Sequence, residues 1–266
     1  ENQEVWCVFM EWSDNPFLPA AEVEHMTKSL SEDSLESRRY GRFKSGTGLV
    51  YSEFDESVHV IEPFDIPLLW QDKLSIDPGL TNPLSCHWYA VDFDGVVYVV
   101  DEHYESKKDI DYHSEKIKQI SAKLNWHVNS SGHIEALIDS AATQRTLACS
   151  KSVAELFYEK GIAVNTKVNK DLFSGINRVK SYLKINGGKP KLYIFKNCVQ
   201  LIREIKQYWW GKNDTPKKQN DHAMDDLRYY IASRPQSPVL LQSKSIITLD
   251  KERLIRKINE RHSFKH

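Results

Sequence analysis

Two stretches of alternating side chains, His87 to Phe93 and Val96 to Asp101, are separated by Asp94-Gly95, a dipeptide that strongly favours a tight hairpin. The two stretches must therefore pair as antiparallel strands. A third strand, Leu74-Ser75-Ile76-Asp77, precedes them and stops at Pro78-Gly79. Downstream the period changes. Ile110 to Leu124 has helical spacing, and Ile134 to Ile138 reads as a strand ending at Asp139. Ser152 to Lys160 reads as a helix stopped by Gly161, followed by a strand over Ile162 to Val168 and a helix over Leu172 to Ile185. A short strand at Leu192 to Phe195 and helices over Val199 to Trp209 and Asp221 to Ser233 complete the series. A meander followed by alternating strands and helices predicts an α/β fold: a mixed sheet, an antiparallel three-strand meander plus parallel strands, with helices on both faces.

The flanks read differently. Residues 1–68 contain an apolar run, Val5 to Met10, a break at Asp14-Asn15-Pro16, a polar helix from Ala20 to about Leu30, another from Ser31, and turns at Gly41, Gly46 and Gly48. Leu49 to Phe54 and Val58 to Ile61 look like short strands or extended connections, so 1–68 is expected to be a linker and 69–233 the main domain. Residues 234–266 are polar, with Arg253 to Arg261 a candidate charged helix, and read as a tail.

The 266 residues, 40% of them hydrophobic, suffice for a large core, and no apolar run approaches the roughly 20 residues needed to span a bilayer. The chain begins at Glu1 without an apolar leader, which points to a piece of something longer and away from secretion. Cys7, Cys86, Cys149 and Cys198 lack zinc spacing and are expected as reduced, mostly buried thiols. Net charge is −1, but unevenly spread. Residues 1–70 hold 5 Lys/Arg against 14 Asp/Glu, a net of −9, and residues 151–212 hold 13 against 4, a net of +9. A basic half beside an acidic one suggests a polyanion-binding face, or equally a set of solvated helix faces.

Asp77 and Asp139 each end a strand. If those strands are parallel neighbours, both carboxylates emerge at one sheet edge, where ligand sites tend to lie. His222, Asp225 and Asp226 are spaced i, i+3, i+4 and share a helix face. Clustered carboxylates repel unless a cation joins them, and oxygen-only ligation suits Mg²⁺ or Mn²⁺. Each residue also has an ordinary role open to it. Asp77 fits an Asp-Pro-Gly turn, Asp139 caps a helix before Ser140-Ala141-Ala142, and Asp225 and Asp226 are favourable first-turn charges behind an Asp221 cap.

Three segments carry a resemblance: Ser75-Ile76-Asp77-Pro78-Gly79, Leu137-Ile138-Asp139-Ser140, and Asn220 through Tyr229. They resemble the C-terminal nuclease part of the large terminase subunit of tailed bacteriophages, whose signature Asp-His-Ala-x-Asp-Ala-Leu-Arg-Tyr is similar to Asp221 through Tyr229. The resemblance runs over roughly residues 10–232. It implies an RNase H-like, RuvC-like fold and a metal-dependent endonuclease that cuts concatemeric double-stranded viral DNA; the sequence shows no base-reading motif, so little sequence specificity is expected. It implies Asp77, Asp139 and Asp225 as catalytic ligands of a pair of Mg²⁺ or Mn²⁺ ions, with His222 orienting or supporting them or shuttling a proton. Asp226 stands where many relatives have Ala, and is expected as an extra ligand or a supporting acid. Lys167, Lys170, Arg178 and Lys180 cluster around one strand and helix and are expected to contact DNA, although their spacing need not form one stripe.

The implied partners are the terminase small subunit, the portal protein and a motor ATPase domain, and the implied setting is the host cytoplasm. The chain holds no G-x-x-x-x-G-K-[ST] phosphate loop, so translocation needs a separate ATPase domain. A non-catalytic DNA-docking module, or a resolvase- or transposase-type nuclease, would use the same fold.

Overall fold

A computed structural model describes residues 11, 12, 15, 17–29, 48–145, 150–211 and 214–235. Among them, β1 (Val60–Ile61), β2 (Gln71–Asp77), β3 (Leu84–Val91), β4 (Val97–Glu105), β5 (Ile134–Ile138), β6 (Ile162–Asn165) and β7 (Leu192–Phe195) form one sheet in the order β1-β7-β4-β3-β2-β5-β6. β2 (Gln71–Asp77), β3 (Leu84–Val91) and β4 (Val97–Glu105) form the expected antiparallel meander. Its second turn closes on Asp92, whose carboxylate accepts from the amides of Asp94 and Val96, with Gly95 at φ +80°. β5 (Ile134–Ile138) runs parallel to β2, β6 (Ile162–Asn165) parallel to β5, and β7 (Leu192–Phe195) parallel to β4.

Helices cover both faces. Adjacent residues of β3 demonstrate it, because successive strand side chains point oppositely. His87 contacts Asp226 on the last helix, whereas Trp88 donates from Nε1 to Ser121 on the helix Ile110–Lys123. β3 is therefore buried along nearly its whole length, and Cys86, Trp88, Tyr89 and Ala90 are fully enclosed.

The helices in chain order are α1 (Ala20–Ser29), α2 (Glu56–His59), α3 (Ile110–Lys123), α4 (Val153–Glu159), α5 (Leu172–Leu183), α6 (Val199–Ile205) and α7 (His222–Ser233). Local polar contacts set several boundaries. Ser152 and Glu155 form a reciprocal capping box at the start of α4, and Gly161 at φ +88° follows its end. β6 stops at Asn165 rather than continuing to Val168, because the Asn165 side chain accepts from the amide of Lys167 and turns the chain. α5 ends at Leu183, where Lys184 becomes extended. α6 ends at Ile205, and Trp209 and Trp210 instead bridge to Leu49 and Pro216.

The segment expected as a linker differs most. Leu49 makes a single bridge with Trp209, and residues 50–53 turn rather than extend. Glu56–His59 is a helical turn because Asp55 accepts from the amide and hydroxyl of Ser57. Val60–Ile61 then forms β1, parallel to β7. His59 is buried and donates from Nε2 to the carbonyl of Leu183 at the end of α5. Val50 and Tyr51 lie in the common core. Residues 48–68 thus pack into the same unit as the sheet. The chain divides into compact units at Ser233/Arg234. Val5 to Met10, the Ser31 helix, Gly41, Gly46, Cys7, Cys149 and residues 236–266 lie outside the described residues. Cys86 and Cys198 are buried free thiols. No helix among the described residues is long and apolar enough to cross a membrane.

Tyr51 tests whether residues 48–68 belong to the core. Truncation to Ala should cost about 3 kcal/mol in urea unfolding, the range for large buried aromatics. A surface linker residue would change stability by roughly 0.5 kcal/mol or less.

Candidate active site

β2 and β5 pair in parallel with Leu74 opposite Ala136, Ser75 opposite Leu137 and Ile76 opposite Ile138. Continuing that register by one residue sets Asp77 beside Asp139 at the carboxyl ends of the two strands. Both exits turn at once. Pro78-Gly79 follows Asp77, and a Cβ on Gly79 would stand 2.4 Å from the Pro83 carbonyl oxygen, so only glycine permits this close turn. Asp139 caps a 3₁₀ turn over Ser140–Thr143, its Oδ1 accepting from the Ala141 amide at 2.7 Å. Its capping role and its strand-end position coexist.

α7 lies across this edge. Its N-terminus is fixed by Glu204 of α6, a fully buried carboxylate whose Oε2 accepts from the Ala223 amide at 2.8 Å and whose Oε1 accepts from the Tyr104 hydroxyl. Burial pushes the Glu204 carboxyl upward, opposed by those two donors. From α7, His222 Nδ1 lies 3.0 Å from Asp77 Oδ2, and the Tyr229 hydroxyl donates to Asp139 Oδ2 at 2.9 Å. The i, i+3, i+7 face of one helix therefore serves all three acids: His222 on Asp77, Asp225 itself, and Tyr229 on Asp139.

Electrostatics separate the three. Burial raises Asp77 to about 6 against its hydrogen bond from His222, and the nearby Asp225 and Asp226 push it the same way. His222 is raised, chiefly by that bond to Asp77. Asp139 is also partly buried, but the Ala141 amide, Lys170 and Tyr229 outweigh the burial and hold it below the usual carboxylate range. Tyr229 is pushed well up by burial and by the charges of Asp225, Asp139 and Asp77. Asp225 pairs with Arg228, Nη2 to Oδ1 at 2.7 Å. Arg228 also donates from Nη1 to the Lys170 carbonyl at 3.3 Å, and its guanidinium lies 4.7 Å from the centre of the Tyr229 ring. Its stem runs over Gly175 of α5, where a Cβ would come within 2.7 Å of the Arg228 Cγ.

Of the two roles expected for Asp226, extra ligand or supporting acid, its geometry departs from the first and is compatible with the second. Its side chain is fully buried and turned away from the site. Its carboxylate accepts from His87 Nδ1 at 2.5 Å, Ser85 Oγ at 3.2 Å and Tyr89 hydroxyl at 3.3 Å, and the Ser75 hydroxyl donates to its backbone carbonyl. These donors take up the oxygens that a metal ion would need. The other ring nitrogen of His87 faces Glu102 at 3.4 Å, and Glu102 in turn accepts the Gln200 and Leu201 amides at the start of α6. With a carboxyl group facing each ring nitrogen, an imidazolium would donate on both sides; a neutral ring would instead need a proton on Asp226, whose own carboxyl burial pushes upward. Burial opposes the imidazolium charge, but Asp226 and then Glu102 overcome it and push His87 up to about 10.

The basic residues scatter. Lys167 is exposed on the loop after β6. Lys170 directs its ammonium onto Asp139 Oδ1 at 2.7 Å. Arg178 is half-buried and donates to the Ala232 carbonyl at 3.4 Å. Lys180 contradicts its expected DNA contact: it is 1% exposed, on the buried side of α5, with Nζ 3.9 Å from Glu53. Of the functional contacts missed in the sequence, Tyr229 was within reach, since extending the His222–Asp225 face by one turn arrives at it. His87 sits in an apolar strand and carried no such signal.

Among the described residues, no set of three or more His, Cys, Asp or Glu side chains stands ready to hold one ion. Asp77, Asp139 and Asp225 surround one sheet edge, each turned to its own protein partner. Their all-oxygen donor set still fits a hard divalent cation once those side chains turn.

Comparison with known proteins reports the same region. The family model described as the terminase RNaseH-like domain matches residues 74–234. The large terminase of a thermophilic bacteriophage superposes with a TM-score of 0.66 at 22% identity, covering 83% of this chain and 53% of that one. The chain thus spans about half the length of that protein. The nuclease domain of the P22 large terminase superposes with a TM-score of 0.57 at 17% identity, covering 71% of this chain and 93% of that domain. No curated protein matches.

Removing one partner of the buried His87–Asp226 pair leaves the other charge uncompensated, so Asp226→Asn should cost about 3 to 5 kcal/mol near neutral pH. A ring whose folded pKa lies above its unfolded value adds stability that is fully present below about 6.5 and is lost as pH rises through about 10. The difference between wild type and Asp226→Asn in denaturant unfolding should therefore shrink as pH rises through about 10; a constant difference would place the neutral ring in the native state.

Proposed function

Since this chain belongs to the terminase RNase H-like domain family, we propose that it cuts double-stranded DNA by metal-assisted hydrolysis, with Asp77, Asp139 and Asp225 as ligands of Mg²⁺ or Mn²⁺. The observation that supports this reading is the parallel β2–β5 register, which pairs Ile76 with Ile138, the residues just before Asp77 and Asp139, while α7 contacts both acids through His222 and Tyr229. A pair of divalent ions held there supplies an activated water and charge stabilisation for the leaving oxygen.

The protein's own groups do the rest. His222 donates from Nδ1 to one oxygen of Asp77, which fixes the carboxylate and leaves its second oxygen for an ion. Tyr229 fixes Asp139 in the same way from Oδ2. Partial burial of Asp77 makes an unshared negative charge costly there, and a cation relieves that cost. Lys167, exposed on the loop that also carries Lys170, supplies positive charge for the DNA backbone beside the site. Direct base readout has no evident element here, so cutting is expected at many sequences. We extend the proposal to packaging of concatemeric viral DNA in the host cytoplasm. Its partners there would be a motor ATPase domain, the small subunit and the portal protein.

Asp77→Ala should abolish Mn²⁺-dependent nicking and linearisation of plasmid DNA while circular dichroism and thermal unfolding stay close to wild type. Retained cleavage would remove Asp77 from the catalytic set. Lys167→Ala should weaken binding similarly across duplex sequences and reduce the slope of log affinity against log salt by roughly 1. An unchanged slope would exclude a phosphate contact at Lys167.

A further inference from the structure

Each of the three acids already has a basic side chain as its partner: His222 on Asp77 at 3.0 Å, Lys170 on Asp139 at 2.7 Å and Arg228 on Asp225 at 2.7 Å. The three pairs are built differently. His222 and Arg228 both rise from α7. The Arg228 side chain is only 6% exposed and held along its length by Gly175, the Tyr229 ring and the Lys170 carbonyl. Lys170 comes from the loop between β6 and α5, and its side chain is 45% exposed. Among the described residues, its Nζ has one polar partner, Asp139. It can swing into solvent without disturbing a packed element.

Asp139 Oδ1 accepts both the Ala141 amide and the Lys170 ammonium, while Oδ2 accepts the Tyr229 hydroxyl. The amide and the hydroxyl belong to the fold, so Lys170 occupies the position that can be vacated. An ammonium and a divalent cation at one carboxylate oxygen repel each other strongly in a partly buried site. We propose that Lys170 is a resident counter-cation of the metal site. It neutralises Asp139 in the metal-free protein and must leave before a divalent ion can ligate there. This rests on Asp139 being a metal ligand, as proposed above. The consequence is a restraint: Lys170 weakens metal binding in the resting protein and keeps Asp139 from drawing in stray cations.

The test is isothermal titration calorimetry of MnCl₂ into the full chain without DNA. Lys170→Gln should tighten Mn²⁺ binding roughly two- to fivefold, the span of a partly exposed ion pair that no longer competes. Lys170→Arg, which keeps the charge, should stay near wild type. In an Asp139→Asn background, Lys170→Gln should have no further effect, because the pair it breaks is already gone. Urea unfolding of Lys170→Gln checks that the fold is intact, as expected for a side chain outside the core. An unchanged or weakened Mn²⁺ affinity in Lys170→Gln overturns the proposal. If Asp139→Asn weakens Mn²⁺ binding while Lys170→Gln does not tighten it, the ligand assignment stands and the counter-cation role fails. If Asp139→Asn leaves Mn²⁺ binding unaltered, the ligand assignment falls and takes the counter-cation role with it.

Discussion

The buried contact between His87 and Asp226 orders the rest of the site. It joins the central strand of the meander to the helix that carries Asp225 and His222, at a point from which water is excluded. A lone charge there would be costly, so each partner holds the other in place. The contact extends on both sides. Glu102 links the far side of the His87 ring to the first amides of α6, and the Tyr89 ring stacks on Tyr230 with centroids 3.7 Å apart. Asp225 and Asp226 are neighbours in sequence, yet about 100° apart around a helix. One is drawn into the core and locks the helix, and the other is thereby aimed at the sheet edge. A network of buried polar groups gives a more definite helix rotation than an apolar face alone, because each hydrogen bond has a direction.

Much of this architecture was readable from local pattern. The Asp94-Gly95 hairpin, the strand ending at Asp77-Pro78-Gly79 and the strand ending at Asp139 were all legible, because turn chemistry and alternation act over a few residues. What escaped depends on partners far along the chain. Lys180 reads as a surface cation in any composition count, and only the packing of α5 encloses it. Asp226 shares a helix face with His222 by spacing, but that face is broad enough to include both the site and the core. Residues 48–61 look like a connection because their strand is two residues long, and its pairing with β7, more than 130 positions later, has no local signature.

The charge pattern explains why a strongly acidic edge survives in a folded chain. Three carboxylates converge on it, and each is matched by a basic side chain at hydrogen-bonding distance. The net +9 of residues 151–212 is thus not all free to meet an external polyanion. One of its members balances the site, another is buried in α5, and Arg178 is engaged at the end of α7. Regional charge locates a basic half, while individual contacts decide which cations remain available to an external polyanion.

The close approach of Gly175 to the Arg228 stem ties two distant positions into a single unit of sequence change. A methyl group at 175 would overlap the arginine carbons, and a shorter residue at 228 would leave Asp225 without its cation and the Lys170 carbonyl without its donor. Either change alone damages the packing of α5 on α7 or the charge balance at the edge. In related chains, therefore, these two positions should vary together or not at all. A relative with a larger residue at the first should have found another way to neutralise the acid that Arg228 serves here.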